Sequence, residues 1–172
     1  SGGSEASLIG LKISQAGGNI VDVAVAVGFA LTVERPEALG LGGGGFMTLH
    51  LVKEKSRDFF IDFREIAPLK AHAKMFLDSE GKPIPEKSLD GPLSVATPGF
   101  VAGFYDIHKR WGKLPWKRVL QPAVDLAENG FAVTPAFEED LSAREALLIL
   151  DVASKKIFFS PEGRPLKVGD RV

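Results

Sequence analysis

The sequence predicts a helix-rich α+β fold, and three observations point to it. Two segments of strand character, FMTLHLV (46–52) and RDFFIDFRE (57–65), adjoin across the short polar stretch KEKS and read as a β-hairpin. Three helical stretches then follow one another with no strand between them, which is not the βαβα alternation of a parallel sheet. An earlier segment, IVDVAVAVGFALTV (20–33), is apolar nearly all round, as a helix inside a layered fold is.

Each element has a local cause. Ser4 is placed to cap a first helix, EASLIGLKISQA, whose Leu8, Leu11 and Ile13 share a side, and Gly17 with Gly18 stops it. Asn19 caps the apolar second helix, with Asp22 three residues on in near capping-box spacing. Gly28 and the alanines of this helix allow close packing, expected against a sheet. After the hairpin, residues 67–78 predict a short helix and residues 79–92 a polar loop rich in Gly and Pro. Thr97 and Pro98 open a helix that runs to Trp111. Pro115 and Pro122 punctuate a helical stretch ending at Asn129 and Gly130, and Thr134 with Pro135 opens another that reaches Leu150. Residues 157–159 predict a short strand before the turn SPEG. With no repeat and no linker composition, residues 1–172 read as a single unit. Two strands are few for so apolar a second helix, so a larger sheet is expected around it.

Composition narrows the function. The chain has 172 residues, 45% hydrophobic and 25% charged, the profile of a globular domain with a sizeable core. Its 21 basic and 22 acidic residues give a net charge of −1 without long like-charge blocks, so neither nucleic acid nor an anionic membrane is an expected partner. The absence of cysteine rules out disulfides, thiolate metal sites and a cysteine nucleophile. The apolar run at 20–33 is short for a bilayer and contains Asp22, and no signal-peptide pattern is visible. His50, His72 and His108 have no metal-site spacing, so neither metal nor cofactor is expected.

Three features invite a chemical reading. Gly40 to Gly45 formally satisfies G-x-G-x-x-G, but a helix precedes it and a strand follows, the reverse of a dinucleotide fingerprint. A tight helix-to-strand crossing that no helix N-terminus faces is the expectation. Ser1 stands at the N-terminus, where a hydroxyl can be a nucleophile, yet Gly2 and Gly3 make a flexible lead-in; no G-x-S-x-G elbow occurs. Arg64 is the third. Alternation puts Phe59, Ile61 and Phe63 on one face, expected to be buried, and Phe60, Asp62 and Arg64 on the other. A guanidinium at a strand end suits bidentate carboxylate capture, but an edge-strand ion pair with Asp62 or another carboxylate is the commoner arrangement and the reading residue types favour.

Taken together, GGNIVDVAVAVGFAL, LGLGGGGFM, IDFREIAP, SVATPGFVAGF and LQPAVDLAENGF resemble the large subunit of γ-glutamyltranspeptidase, from about Gly10 onward. The resemblance implies a place in an Ntn-hydrolase αββα four-layer sandwich and a precursor that cleaves itself into large and small subunits. A threonine heading the small subunit would attack the γ-glutamyl amide of glutathione or a similar donor. Water, or an acceptor amino acid or peptide, would then take the glutamyl group. It further implies that Arg64 binds the donor's α-carboxylate, with Asp62, Glu65, Gly42, Gly43, Gly44 and Gly45 structural beside it, and that no catalytic residue lies in this chain. The chain would thus be an N-terminal part of the large subunit, inert without the small subunit, of a periplasmic or extracellular enzyme. A related Ntn acylase (cephalosporin acylase or poly-γ-glutamate depolymerase) and a non-catalytic binding module on the same scaffold are the alternatives.

Overall fold

The computed structural model describes residues 1–52 and 57–172, so the expected KEKS turn lies outside the described residues. In chain order the elements are α1 (Ser4–Gln15), α2 (Ile20–Glu34), β1 (Phe46–Leu51), β2 (Arg57–Asp62), α3 (Glu86–Leu89), a 3-10 turn (Pro92–Ser94), α4 (Phe100–Trp111), α5 (Trp116–Asn129), α6 (Pro135–Leu148) and α7 (Val152–Phe158). The architecture is α+β, with a two-stranded antiparallel sheet. The chain divides into two compact units. A helical unit combines Ser1–Leu39 with Gly112–Val172, and a hairpin unit spans Gly40–Trp111.

In the helical unit, α1 buries Ala6, Ile9, Gly10 and Ile13, while Leu8 and Leu11 are exposed, contrary to the expected leucine face. The small residues win because they let α2 approach: a Cβ on Gly10 would lie 2.7 Å from Val27 Cγ2. Ser4 is not the cap either. Gly3 holds that position without a side-chain bond, and the carboxylate of Glu34, at the far end of α2, replaces the cap. Its Oε2 accepts from Ala6 N at 2.9 Å and its Oε1 from Glu5 N at 3.1 Å. The α2 capping box forms as the spacing predicts. Asn19 Oδ1 accepts from Val21 N and Asp22 N, and Asp22 Oδ2 accepts from Asn19 N. Asp22 also receives Lys113 N at 3.0 Å and Leu114 N at 3.3 Å, which pins the returning chain against α2. Within this unit α2 packs on α1 and α5, with Phe29 edge-on to Trp116 at 5.7 Å.

Pro122 sits inside α5, which buries Val119, Ala123 and Leu126 at helical spacing and ends at Gly130 with φ +71°. Thr134 caps α6 as expected, its Oγ1 accepting from Phe137 N at 3.2 Å, and the helix ends at Leu148 rather than Leu150. The strand expected at 157–159 is corrected to the end of α7, which Asp151 caps by accepting from Ser154 N at 2.7 Å. Phe159 alone bridges to Pro165, one contact being too little to hold a strand.

In the hairpin unit β1 and β2 pair in the register Phe46↔Asp62, Thr48↔Phe60, Leu49↔Phe59 and His50↔Asp58. Phe59, Ile61 and Phe63 share the inner side but are half-buried, not buried, because one helix rather than a second layer covers them. Phe59 packs on Trp111 at 4.8 Å and Phe63 on Phe104 at 5.5 Å. That helix, α4, buries Phe100, Gly103, Phe104, Ile107 and His108, a single stripe. It begins at Phe100 rather than after Thr97, because Thr97 is held extended in a two-bond bridge to Ile66 (2.9 and 3.2 Å). The helix expected at 67–78 is also absent. Four-residue turns replace it, and Leu77 instead bridges to Pro83. The stretch expected as loop contains α3 and ends at the first residue of the 3-10 turn.

Candidate functional site

Arg64 lies two residues past β2, where the chain leaves the sheet between the glycine run and the start of α4. Pairing outlasts the strand by one step: Phe63 N donates to Gly45 O at 3.0 Å and Gly45 N to Phe63 O at 3.3 Å. Beyond Arg64, the bridge between Ile66 and Thr97 fixes the other side. The backbone of Arg64 is therefore held at both ends.

Its side chain is 63% exposed, and Nε lies 3.3 Å from Glu65 Oε2. Asp62, the partner suggested by alternation, instead takes the main chain: its Oδ1 accepts from Arg64 N at 2.9 Å and closes a tight turn. Glu65 is mostly buried, and its Oε2 has no aligned hydrogen bond among the described residues. The Arg64 guanidinium is thus the positive group facing that oxygen, and an ion pair orients the planar fork while leaving it open to solvent. Such a fork can seat a carboxylate through two charge-assisted bonds.

The glycines bear on this segment unequally. A Cβ on Gly44 would fall 2.5 Å from Phe63 O, 2.7 Å from Glu65 N and 2.9 Å from Arg64 C. At Gly43 it would stand 3.6 Å from Glu65 Oε1, at Gly45 3.2 Å from the Phe63 ring, and at Gly42 it would meet nothing. The run is corrected in one respect: a helix N-terminus does face it. Gly99 N and Phe100 N both donate to Gly43 O, at 3.0 and 2.9 Å, so donors that could bind an anion are already occupied by a carbonyl.

The sequence reading placed Gly42 to Gly45, Asp62, Arg64 and Glu65 together, and the structure brings all but Gly42 into contact with the segment. It did not find Gly99 and Gly103. A Cβ on Gly99 would lie 2.0 Å from Phe63 O, and one on Gly103 would lie 2.3 Å from Phe63 Cβ. The available signal was a pair of glycines in TPGFVAG at the head of a helix, where glycine is otherwise unfavourable. Ser1 has no part in this cluster; its hydroxyl and amine bond to Gly3 and Ser7. A cleft of about 830 Å³ in the helical unit, lined by Thr32, Phe131, Phe158 and Arg164 among others, contains none of these residues. Among the described residues no helix is long and apolar enough to cross a membrane, and no group of three or more His, Asp or Glu could hold a metal.

The chain is thus an α+β protein in which an accessible arginine is braced beside a glycine run. The family described as gamma-glutamyltranspeptidase matches residues 6–172, and the chain belongs to that family. Over 166 residues it is 46% identical to the glutathione hydrolase proenzyme of Escherichia coli strain K12, covering 96% of this chain and 28% of that protein. The crystal structure of Helicobacter pylori gamma-glutamyltranspeptidase superposes with a TM-score of 0.93 at 41% identity, over 99% of this chain and 48% of the other. Cephalosporin acylase from Bacillus halodurans superposes with a TM-score of 0.78 at 30% identity, over 96% of this chain and 31% of the other. The chain thus spans under a third of the length of the E. coli relative.

Proposed function

We propose that this chain forms the donor-carboxylate-binding side of a γ-glutamyltransferase or glutathione hydrolase, with Arg64 as the clamp. The observation that carries it is the Arg64 guanidinium, oriented by Glu65 at 3.3 Å yet 63% exposed, in a chain of this family. A γ-glutamyl donor carries a free α-carboxylate on the carbon that also bears its amine. Two parallel N–H···O bonds would fix that end and so aim the γ-amide carbonyl at the nucleophile. A threonine hydroxyl of the small subunit from the same precursor would add to the carbonyl, forming an ester as the C–N bond breaks and the amine leaves with a proton. Water, or the amine of an amino acid or peptide, would then open the ester. In this reading the two units are part of an αββα Ntn-hydrolase sandwich, in the periplasm or outside the cell.

The test is Arg64→Ala in the complete, processed protein. Truncating one member of a desolvated charge pair costs about 2–5 kcal/mol, so kcat/KM for a γ-glutamyl anilide should fall at least about 30-fold. Arg64→Lys keeps the charge without the planar fork and should recover part of this. A donor whose α-carboxylate is amidated should be nearly indifferent to either change, and precursor cleavage should continue. Equal losses on both donors would mark Arg64 as structural. The likeness to the Bacillus halodurans acylase supports a second reading as an acylase, which the same pair of donors separates. Faster turnover of the amidated donor by the unaltered protein would favour it.

A further inference from the structure

We infer that Gly44, Gly99 and Gly103 are positioning residues for Arg64: together they set where its backbone runs, and so where its guanidinium meets the donor. The inference rests on Arg64 being the donor clamp. Three glycines from two separate stretches close on one residue step. Gly44 approaches from the run before β1, where a Cβ would press on Phe63 O, Arg64 C and Glu65 N at 2.5 to 2.9 Å. Gly99 approaches from the head of α4, where a Cβ would lie 2.0 Å from Phe63 O and 3.2 Å from Arg64 O. Gly103, one turn along α4, meets the Phe63 side chain, with would-be contacts of 2.3 Å to Cβ and 2.4 Å to Cγ.

None of the three has a positive φ, so backbone conformation is not what requires glycine here; space is. The two stretches are also tied to each other, since Gly43 O accepts from Gly99 N and Phe100 N. The result is a slot in which two stretches of main chain press on the Phe63–Arg64 peptide, so that the chain there cannot shift toward either of them. A guanidinium reaches its partner through a long side chain, and a displacement at its root is carried to the fork. A misplacement of about 1 Å in a positioning group can cost on the order of a hundredfold in rate.

Gly44→Ala in the complete, processed protein tests this. With the free-carboxylate donor, kcat/KM should fall about tenfold or more, chiefly through KM, while the amidated donor changes less than about threefold. In the double variant with Arg64→Ala the glycine substitution should add almost nothing, because the group it positions is gone. Losses shared by both donors, or a full additive loss in the double variant, overturn the inference. Should Gly44→Ala block precursor cleavage, Gly103→Ala decides, because its Cβ would meet the Phe63 side chain, at 2.3 to 2.8 Å, rather than main chain. It should still lower the ratio of the two donors' kcat/KM by about two- to fivefold; an unchanged ratio overturns the inference. Arg64→Ala run alongside keeps the two ideas apart. If it fails to discriminate the donors, the clamp reading falls; if it discriminates and the glycine variants do not, only the slot falls.

Discussion

Asp22 and Glu34 have 0% and 4% of their surface exposed, and each carboxylate accepts hydrogen bonds from main-chain N–H groups. A buried carboxylate is tolerated when such donors replace its water. Removing it strands those donors, at about 1–3 kcal/mol for each well-buried group. Glu34→Ala leaves the first turn of α1 uncapped and should cost about 1–3 kcal/mol, with Glu34→Gln recovering part through its remaining oxygen. Asp22→Ala should cost more, because Asn19, Lys113 and Leu114 all lose an acceptor and the returning chain loses its anchor on α2. Denaturant midpoints of the complete protein measure both; an Asp22→Ala midpoint equal to the unaltered one would show the anchor to be redundant. The Asn19 and Asp22 capping box was legible because its partners are three residues apart. The Glu34 cap was not, since its partners, Glu5 and Ala6, come close only after α1 and α2 pack.

Local start signals marked some elements correctly, were overridden by distant pairing at others, and were missed at α7. Thr134 with Pro135 opens α6 as expected, whereas the same pattern at Thr97 and Pro98 does not open α4, because Ile66 claims Thr97 first. Residues 157–159 look like a strand by composition, but Asp151 caps a helix that runs into them. The closing segment shows how such late pieces are held. Val133 N donates to Asp170 O and Val172 N to Phe131 O, while Arg164 grips the Asp170 carboxylate through two nitrogens at 2.7 and 3.2 Å. The Arg164 hydrogen bonds, followed by that of Lys167 N, lower the Asp170 pKa to about 2. The folded form thus binds its proton less readily than the unfolded chain. The resulting stability is present above the ordinary carboxylate pKa and is lost as pH falls through about 2. An NMR titration should find the Asp170 midpoint near 2, and Arg164→Ala should return it toward the ordinary range. A midpoint unmoved by that substitution would mean the Lys167 bond alone sets it.

At the scale of the whole molecule, residue types favoured an ion pair for Arg64 over a carboxylate clamp, and the structure contains an ion pair. The ion pair is with Glu65 rather than Asp62, and it orients the fork without covering it. Alternation could assign Asp62 a side of the strand but could not say that its oxygen would turn back to Arg64 N. The slot around Arg64 depends on residues up to 59 positions apart, from Gly44 to Gly103, so no local pattern reveals it. The hairpin bears the final prediction. Its outer face carries Phe46 and Phe60, 56% and 68% exposed, with their rings stacked at 5.7 Å. In the two-stranded sheet, each strand also has an edge outside the pairing. A lone hairpin with an apolar face and open edges is marginal in water and tends to acquire a partner. Residues 1–172 expressed as a polypeptide should therefore bind a hydrophobic dye and sediment as more than monomer at tens of micromolar. Phe46→Thr with Phe60→Thr keeps the strand preference while removing both rings, so dye binding and association should fall together. A dye-silent monomer before substitution, or association that the double variant leaves unchanged, would show that this face is not what drives contact.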